Sequence, residues 1–405
     1  MRVAIFTHDT FGLGHVRRAL HIARAVAAER PDAAILLVTG SPALHAMEGL
    51  PPNADYVKIP TIVKTGDPDL RPPHLPRPLS EVSALRERLI REAVAGFDPH
   101  VFLVDNFPLG SGRELLPVLH ALRGAHTRTV LGLRDIVDAP EVVREDWARR
   151  GIYEVLEHDY DRILVYGMPE VLDVVEAYAL PAPVAGKVRY CGYVTGTMDE
   201  ASGGPGVRGV PRPEAPFLLA TGGGGGDAYP LLDTFLDTFP LLSAMAAVVV
   251  TGPLMDGTLR ERLRARAAGL PGLVVHDHLA DLRPLIKRAA AVVCMGGYNT
   301  TAEVVALGAR AVIVPRTWRY GEHARGTTAG VEWEQPMRAR ALAELGLAEV
   351  LEPDGLTPDR LARAITSALD RPRPRGHLDL GGAAAVRDEL LALAGTAQGG
   401  ARVAG

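Results

Sequence analysis

Short, continuous apolar runs, each followed by residues at helical spacing, recur along both halves of the chain and limit its fold more than any other feature. In the first half Val3–Thr7, Ala34–Val38, Val101–Val104, "RTVLGLRDI" and "DRILVYG" read as strands, with helices over His15–Glu29, near Pro42–Met47 and over Glu81–Ala95. In the second half the strands are Phe217–Ala220, Ala247–Thr251, Leu273–His276, Ala291–Cys294 and Ala311–Val314. Strands that are apolar on both faces belong in a parallel sheet covered by helices on both sides. A chain of 405 residues is too long for one ordinary core. The expectation is an α/β protein of two doubly wound, Rossmann-like domains, with a cleft between them lined by the carboxyl ends of their strands. The first domain is expected over 1–195, a linker over 196–216 within a Gly/Pro-rich spacer, and the second domain over 217–380. A C-terminal helix, Ala383–Ala394, and a disordered small-residue tail fill 381–405, with the first domain as a place for the helix to pack. Pro60–Pro78 reads as a long proline-rich loop, a feature that is often functional.

Composition removes several function classes. Hydrophobic residues at 47% and charged residues at 23% describe a folded soluble protein, and a net charge of −4 gives no reason to expect nucleic acid as a partner. Cys191 and Cys294 stand far apart without a CxxC pattern, which fits a reducing compartment and no cysteine zinc site. The opening "MRVAIFTHDT" is too short for a signal-peptide core, and no run has the length of a membrane span, so a cytoplasmic location is expected. None of the four lysines, Lys58, Lys64, Lys187 and Lys287, lies in a GK[ST] phosphate loop. That excludes a P-loop nucleotidase.

Five consecutive glycines in "TGGGGGDAY", Thr221–Tyr229, follow the apolar run Phe217–Ala220. The plain reading is a flexible linker, since the stretch just upstream is already rich in Gly and Pro. Placement favours a backbone cradle. Strand, glycine loop and helix, with Pro230 near the helix start, bring N–H groups together on an anion. A dinucleotide site is disfavoured, because the third fingerprint glycine falls on Asp227 and the next strand, "MAAVVVTG", carries no ribose-binding acid.

A second stretch, "VVCMGGYNTTAEVVALGARAVIVP", Val292–Pro315, repeats strand, glycine pair, helix and strand. Thr300 and Glu303 have the spacing of a helix capping box, which alone would explain both. They equally suit a site in which Glu303 holds a ribose diol and amides near Thr300 face phosphates.

The order of these motifs, followed by "EQPMRARALAELGLAEVL", resembles the C-terminal domain of GT-B glycosyltransferases over Phe217–Leu351. The nearest likeness is to family 28, which includes the N-acetylglucosaminyltransferase that forms lipid II. "DTFGLGHVRRALHIARAV" is similar to that family's N-terminal glycine loop, and "THDTFGLGH" and "VDNFPLG" are points of likeness to bacterial glycosyltransferases of unassigned substrate. The resemblance implies roles for particular residues. Thr221 and Gly222, Gly223, Gly224, Gly225 and Gly226 would cradle a donor diphosphate, joined by amides at Gly296, Gly297, Asn299 and Thr300. Glu303 would hold the ribose, Glu334 and Gln335 the sugar hydroxyls, and the segment at Asp277, His278 and Leu279 the nucleobase. Three departures stand out: Gly224 replaces a loop serine, Thr195 replaces an arginine, and "TWRYGEHARGTTAGVEW" is inserted before Glu334.

Sugar transfer needs a base for the acceptor hydroxyl. His15 opens a helix after the first strand, and the positive helix end should keep its ring neutral. Asp105, at the end of Val101–Val104, could fix its tautomer, as the His–Asp dyads of related GT-B enzymes imply. His8 is the substitute base. The plain alternative makes His15 a helix-start residue and Asp105 a turn former. Gly14, Arg17 and Arg134 are candidate acceptor contacts, although for Arg17, Arg18 and Arg134 ordinary surface charge is the simpler expectation. Helix Glu81–Ala95 could touch an anionic membrane through Leu85, Leu89 and Ile90, but a packed globular helix suits its narrow apolar stripe better. No Asp-x-Asp pair stands in a suitable loop, so no metal and no cofactor are expected. The resulting expectation is an inverting bacterial glycosyltransferase that uses a nucleoside-diphosphate sugar, a UDP-sugar by resemblance, and an unidentified acceptor. The alternatives are a sugar-nucleotide 2-epimerase or hydrolase of the same fold, or a nucleotide-sugar-binding protein without chemistry.

Overall fold

The computed structural model describes residues 1–8, 14–41, 49–64, 70–195, 216–242, 245–279, 281–316, 333–374 and 378–401. It divides into two units, one of residues 1–195 with 379–405, the other of residues 196–378. Both are built on parallel sheets.

In the first unit the strands are β1 (Arg2–Thr7), β2 (Ala34–Thr39), β3 (Ala54–Lys58), β6 (Val101–Asp105), β7 (Arg128–Arg134), β8 (Arg162–Tyr166) and β9 (Val188–Tyr190); β4 (Val63–Lys64) and β5 (Leu70–Arg71) form a separate antiparallel pair. The sheet order is β3-β2-β1-β6-β7-β8-β9, all parallel. Every residue of β6 is buried, as its continuous apolar run requires of a strand covered on both faces. The order reverses between β1 and β6, where crossovers leave to opposite sides and the carboxyl ends open a crevice. The chain returns to this unit at Asp379. Helix Gly382–Ala401 packs on the first helix, Gly14–Glu29, and on β6 and β7, and it buries Ala383, Val386, Leu390 and Ala394. It therefore runs further than Ala383–Ala394, into the stretch expected to be a disordered tail.

The second unit holds β10 (Phe217–Thr221), β11 (Ala246–Val250), β12 (Leu273–His276), β13 (Ala291–Cys294), β14 (Ala311–Ile313) and β15 (Glu349–Val350) in the order β12-β11-β10-β13-β14-β15, again all parallel. Its switch point lies between β10 and β13, the strands that lead into the glycine loop and the glycine pair. Leu218, Ala220, Val249 and Val293 form the centre of its core with Leu232 and Phe235 of helix Tyr229–Thr238.

Several sequence expectations need correction. The long loop over Pro60–Pro78 carries the β4–β5 pair, and β3, β9 and β15 are further strands that no continuous apolar run announces, because they are short or only partly buried. In the helix Leu79–Phe97, Ile90 is buried with Val82, Arg86 and Val94 while Leu85 and Leu89 are exposed, so one face packs as the preferred globular-helix expectation has it. Arg86 donates to Glu114 at 2.8 Å, and both side chains are buried. The helix near Pro42–Met47 lies outside the described residues, as do the linker over 196–215 and the insertion over 317–332.

Candidate functional site

In the first unit the switch point gathers three side chains. His15 is the second residue of the first helix, and Asp105 ends β6. His15 Nδ1 stands 2.5 Å from Asp105 Oδ2. Arg18 donates from Nε to Asp105 Oδ1 at 2.8 Å and from Nη2 to Oδ2 at 2.8 Å. Arg18 is therefore not the surface charge its composition suggested: it is 2% exposed, with its guanidinium over the Tyr166 ring. The i, i+3 spacing of His15 and Arg18, which sets both on one helix face, was the signal that could have found it.

Burial pushes the Asp105 carboxyl up, but the Arg18 and His15 charges and hydrogen bonds outweigh it and hold the group well below the ordinary carboxylate range. An ionised carboxylate only accepts, so the proton between the pair belongs on His15 Nδ1, and in the neutral ring Nε2 is then the acceptor. His8, just past β1, is buried with its ring edge-on to Phe107, and its Nδ1 is 2.6 Å from Ser111 Oγ. Burial first, then the His15 charge, push His8 down to about 3. Its neutral ring pairs with a serine rather than a carboxylate. Gly14 begins the helix half-buried, Arg17 is exposed, and Arg134 ends β7 half-buried, with its Nε donating to Asn106 Oδ1 at 3.3 Å.

The second unit builds a backbone site. Thr221 ends β10, and its Oγ1 accepts the Gly223 N–H at 3.2 Å. Gly223 and Gly225 have left-handed backbones, at φ +59° and +92°. A Cβ on Gly225 would overlap the Thr251 carbonyl oxygen, and one on Gly222 would overlap the Ala228 Cβ. The loop is a folded element, not a spacer. A Cβ on Gly223 would stand 3.0 Å from Thr300 Oγ1, which brings the glycine loop to the first turn of helix Tyr298–Ala306. That helix is capped by Gly297, so Thr300 is its third residue and the capping-box account of Thr300 and Glu303 fails. Glu303 is half-buried one turn further on, and Asn299 is half-buried beside Thr300.

Two further groups join this constellation. Gly296 packs so tightly on Gln335 that a Cβ would lie 2.8 Å from the Gln335 carbonyl oxygen. Buried Arg338 donates to the Gly296 carbonyl at 2.7 Å and to Glu334 Oε1 at 3.0 Å, and its guanidinium stacks over Tyr298. The Asp277 carbonyl oxygen accepts the Gly252 N–H at 2.8 Å, tying the segment of exposed His278 and half-buried Leu279 to the loop. Asp227 closes the loop in an ion pair with Arg316, a partner that sequence spacing does not reveal.

Residues 248–375 match the glycosyltransferase family 28 C-terminal domain. The second unit resembles a family 28 domain. A Syntrophotalea carbinolica protein, the UDP-N-acetylglucosamine–N-acetylmuramyl-(pentapeptide) pyrophosphoryl-undecaprenol N-acetylglucosamine transferase, is 34% identical over 166 residues, 40% of this chain and 42% of that one. The enzyme of the same name from Rhizobium johnstonii is 27% identical over 140 residues, 31% of this chain and 34% of the other. The sequence match thus spans less than half the length of these curated relatives. Among solved structures, the calicheamicin glycosyltransferase CalG4 aligns with a TM-score of 0.63 at 20% identity over 98% of both chains. Acinetobacter baumannii MurG aligns at 0.57 and 14% over 98% of this chain and 99% of that one. The UDP-GlcNAc 2-epimerase of Methanocaldococcus jannaschii aligns at 0.62 and 13% over 97% of this chain and 100% of that one. These likenesses establish the GT-B fold, two doubly wound α/β domains. Among the described residues, no helix is long and apolar enough to cross a membrane.

Proposed function

We propose that this protein is a glycosyltransferase that moves a sugar from a UDP-sugar to an acceptor hydroxyl, with inversion and without a metal. The observation that carries the reading is the backbone cradle of Gly222–Gly226, set against Thr300 at the start of a helix. Its N–H groups and the helix terminus suit a diphosphate leaving group, whose developing charge they would stabilise in the transition state. The family 28 match over 248–375 supports UDP as the nucleotide.

In this reading Nε2 of His15 takes the acceptor hydroxyl proton, and the acceptor oxygen bonds to the anomeric carbon from the face opposite the diphosphate. The bond from that carbon to the diphosphate oxygen breaks, and UDP leaves with the electron pair. Glu303 would hold the ribose, and Glu334 and Gln335 the sugar. Gly14, Arg17 and Arg134 would contact the acceptor. The same reading puts the protein in a bacterial cytoplasm, with peripheral contact to a membrane if the acceptor is a lipid. It gives nucleic acid no part.

A thermal-shift panel of UDP, TDP, GDP, ADP and NAD, with magnesium or with chelator, is the first test. The reading expects a shift with UDP that chelator leaves in place; a shift with NAD alone defeats it. The second test is donor turnover. The transferase reading expects UDP release that rises with an acceptor, whereas the 2-epimerase alternative, whose fold is equally close, expects an altered UDP-sugar with none present.

A further inference from the structure

The His15–Asp105 pair has a third member that proton abstraction alone does not demand. Arg18, one turn along the helix from His15, takes both oxygens of Asp105 with one planar fork, at 2.8 Å each. The carboxylate is left one orientation, in which Oδ2 meets His15 Nδ1 at 2.5 Å. Arg18 Nη2 itself lies 2.9 Å from that same ring nitrogen. A carboxylate alone beside an imidazole stabilises the imidazolium, which cannot accept a proton; a cation so close opposes it.

We propose that Arg18 is a positioning residue for His15: it fixes the acceptor of the Nδ1 proton and offsets the Asp105 charge, so that the ring stays neutral with Nε2 bare. The groups facing the ring among the described residues are Asp105 from β6, Arg18 on its own helix, and His8 after β1, with ring centroids 6.4 Å apart. The Phe107 ring, at 6.2 Å, completes the wall, and behind His8 the opposite charges of Glu114 and Arg86 form a buried pair. Among the described residues, Arg18 is the cation in contact with the ring. This role gives Asp105 an orienting function with little electrostatic activation.

The proposal rests on His15 as the base, but its test does not. Nitrogen-15 NMR of the full, histidine-labelled chain at neutral pH reads ring charge and tautomer, with the His15 signal assigned by its loss in H15Q. The wild type should show a neutral ring with its proton on Nδ1. R18M should raise the imidazolium fraction several-fold at the same pH, and R18K should restore the neutral ring. A wild-type proton on Nε2, or a folded R18M with an unchanged His15 charge state, overturns the proposal. The wild-type measurement does not use R18M, so a charged ring or a proton on Nε2 overturns the proposal even if R18M does not fold. Neither donor nor acceptor is needed. A protein with these signals but no turnover of nucleotide sugar loses the transferase reading and keeps the Arg18 role, and turnover with His15 indifferent to R18M does the reverse.

Discussion

Gly252 lies so close beneath the glycine loop that a Cβ built on it would stand 2.5 Å from the Gly223 carbonyl oxygen, and its own φ is +93°. The floor of the cradle is thus a sixth glycine, supplied by the chain just past β11, and its fit is backbone against backbone. Alanine there meets both a left-handed conformation and an overlap that no rotamer relieves. G252A is expected to cost about 2–4 kcal/mol from strain and overpacking together. It should also weaken UDP binding more than a surface substitution of equal cost elsewhere in the unit. Urea melts and calorimetric UDP titration measure the two effects; full affinity in a stable G252A would show that the cradle geometry does not hold the nucleotide.

Gly224 is the opposite case. It is exposed, its φ lies outside the left-handed range, and a Cβ there would make ordinary contact with Leu254 Cδ1 at 3.7 Å. A serine, the residue the related family carries in this loop, therefore fits. G224S should fold within about 0.5 kcal/mol of wild type. Its hydroxyl can donate to a phosphate oxygen, and a charge-assisted hydrogen bond of about 1.5 kcal/mol would tighten UDP roughly tenfold. Weaker UDP binding by a folded G224S would place the phosphates elsewhere.

These two glycines show how far the sequence could be read. Continuous apolar runs such as Val101–Val104 announce buried parallel strands, because nothing else covers both faces of a strand, and from them the two sheets follow. The glycine loop was legible because its strand and helix neighbours are local. What was hidden is what depends on contacts distant in sequence: Arg18 turning inward onto Asp105, Arg316 reaching Asp227, and Gly252 closing against Gly223. In an arginine-rich chain, composition cannot separate a buried fork from a solvated one. Thr300 and Glu303 show the converse, since a local capping pattern was present but the helix begins three residues earlier, at Tyr298.

Removing the His15 ring should separate chemistry from binding. H15A is expected to lower kcat by about 10²- to 10⁴-fold, the usual contribution of a general base, with UDP affinity unchanged because the glycine loop belongs to the other unit. D105N should lower kcat by less, since its amide can still meet Nδ1 while the Arg18 fork loses its charge partner. Initial rates with any identified acceptor test this. Equal kcat in H15A and wild type would remove His15 from the chemistry and return His8 to consideration.

Stability on the acid side should carry the signature of His8. Its ring is buried and its folded-state value is pushed down to about 3, by burial first and by the His15 charge second. The unfolded chain binds a proton there near the ordinary value of about 6.5, so between about pH 6.5 and 3 the unfolded state holds more protons than the folded one. Stability from this group is complete above that window and falls as pH drops through it, by about 1.4 kcal/mol per pH unit at most. Asp105, held below the ordinary carboxylate range, acts in a lower window: its contribution is present above about pH 4 and is lost beneath it. The two are separable. H8N should flatten the decline between pH 6 and pH 4 and leave the steeper loss below pH 4 in place. Urea midpoints at unit pH steps would show this. An unchanged slope in H8N would mean that the buried ring near Phe107 takes up its proton without unfolding the site.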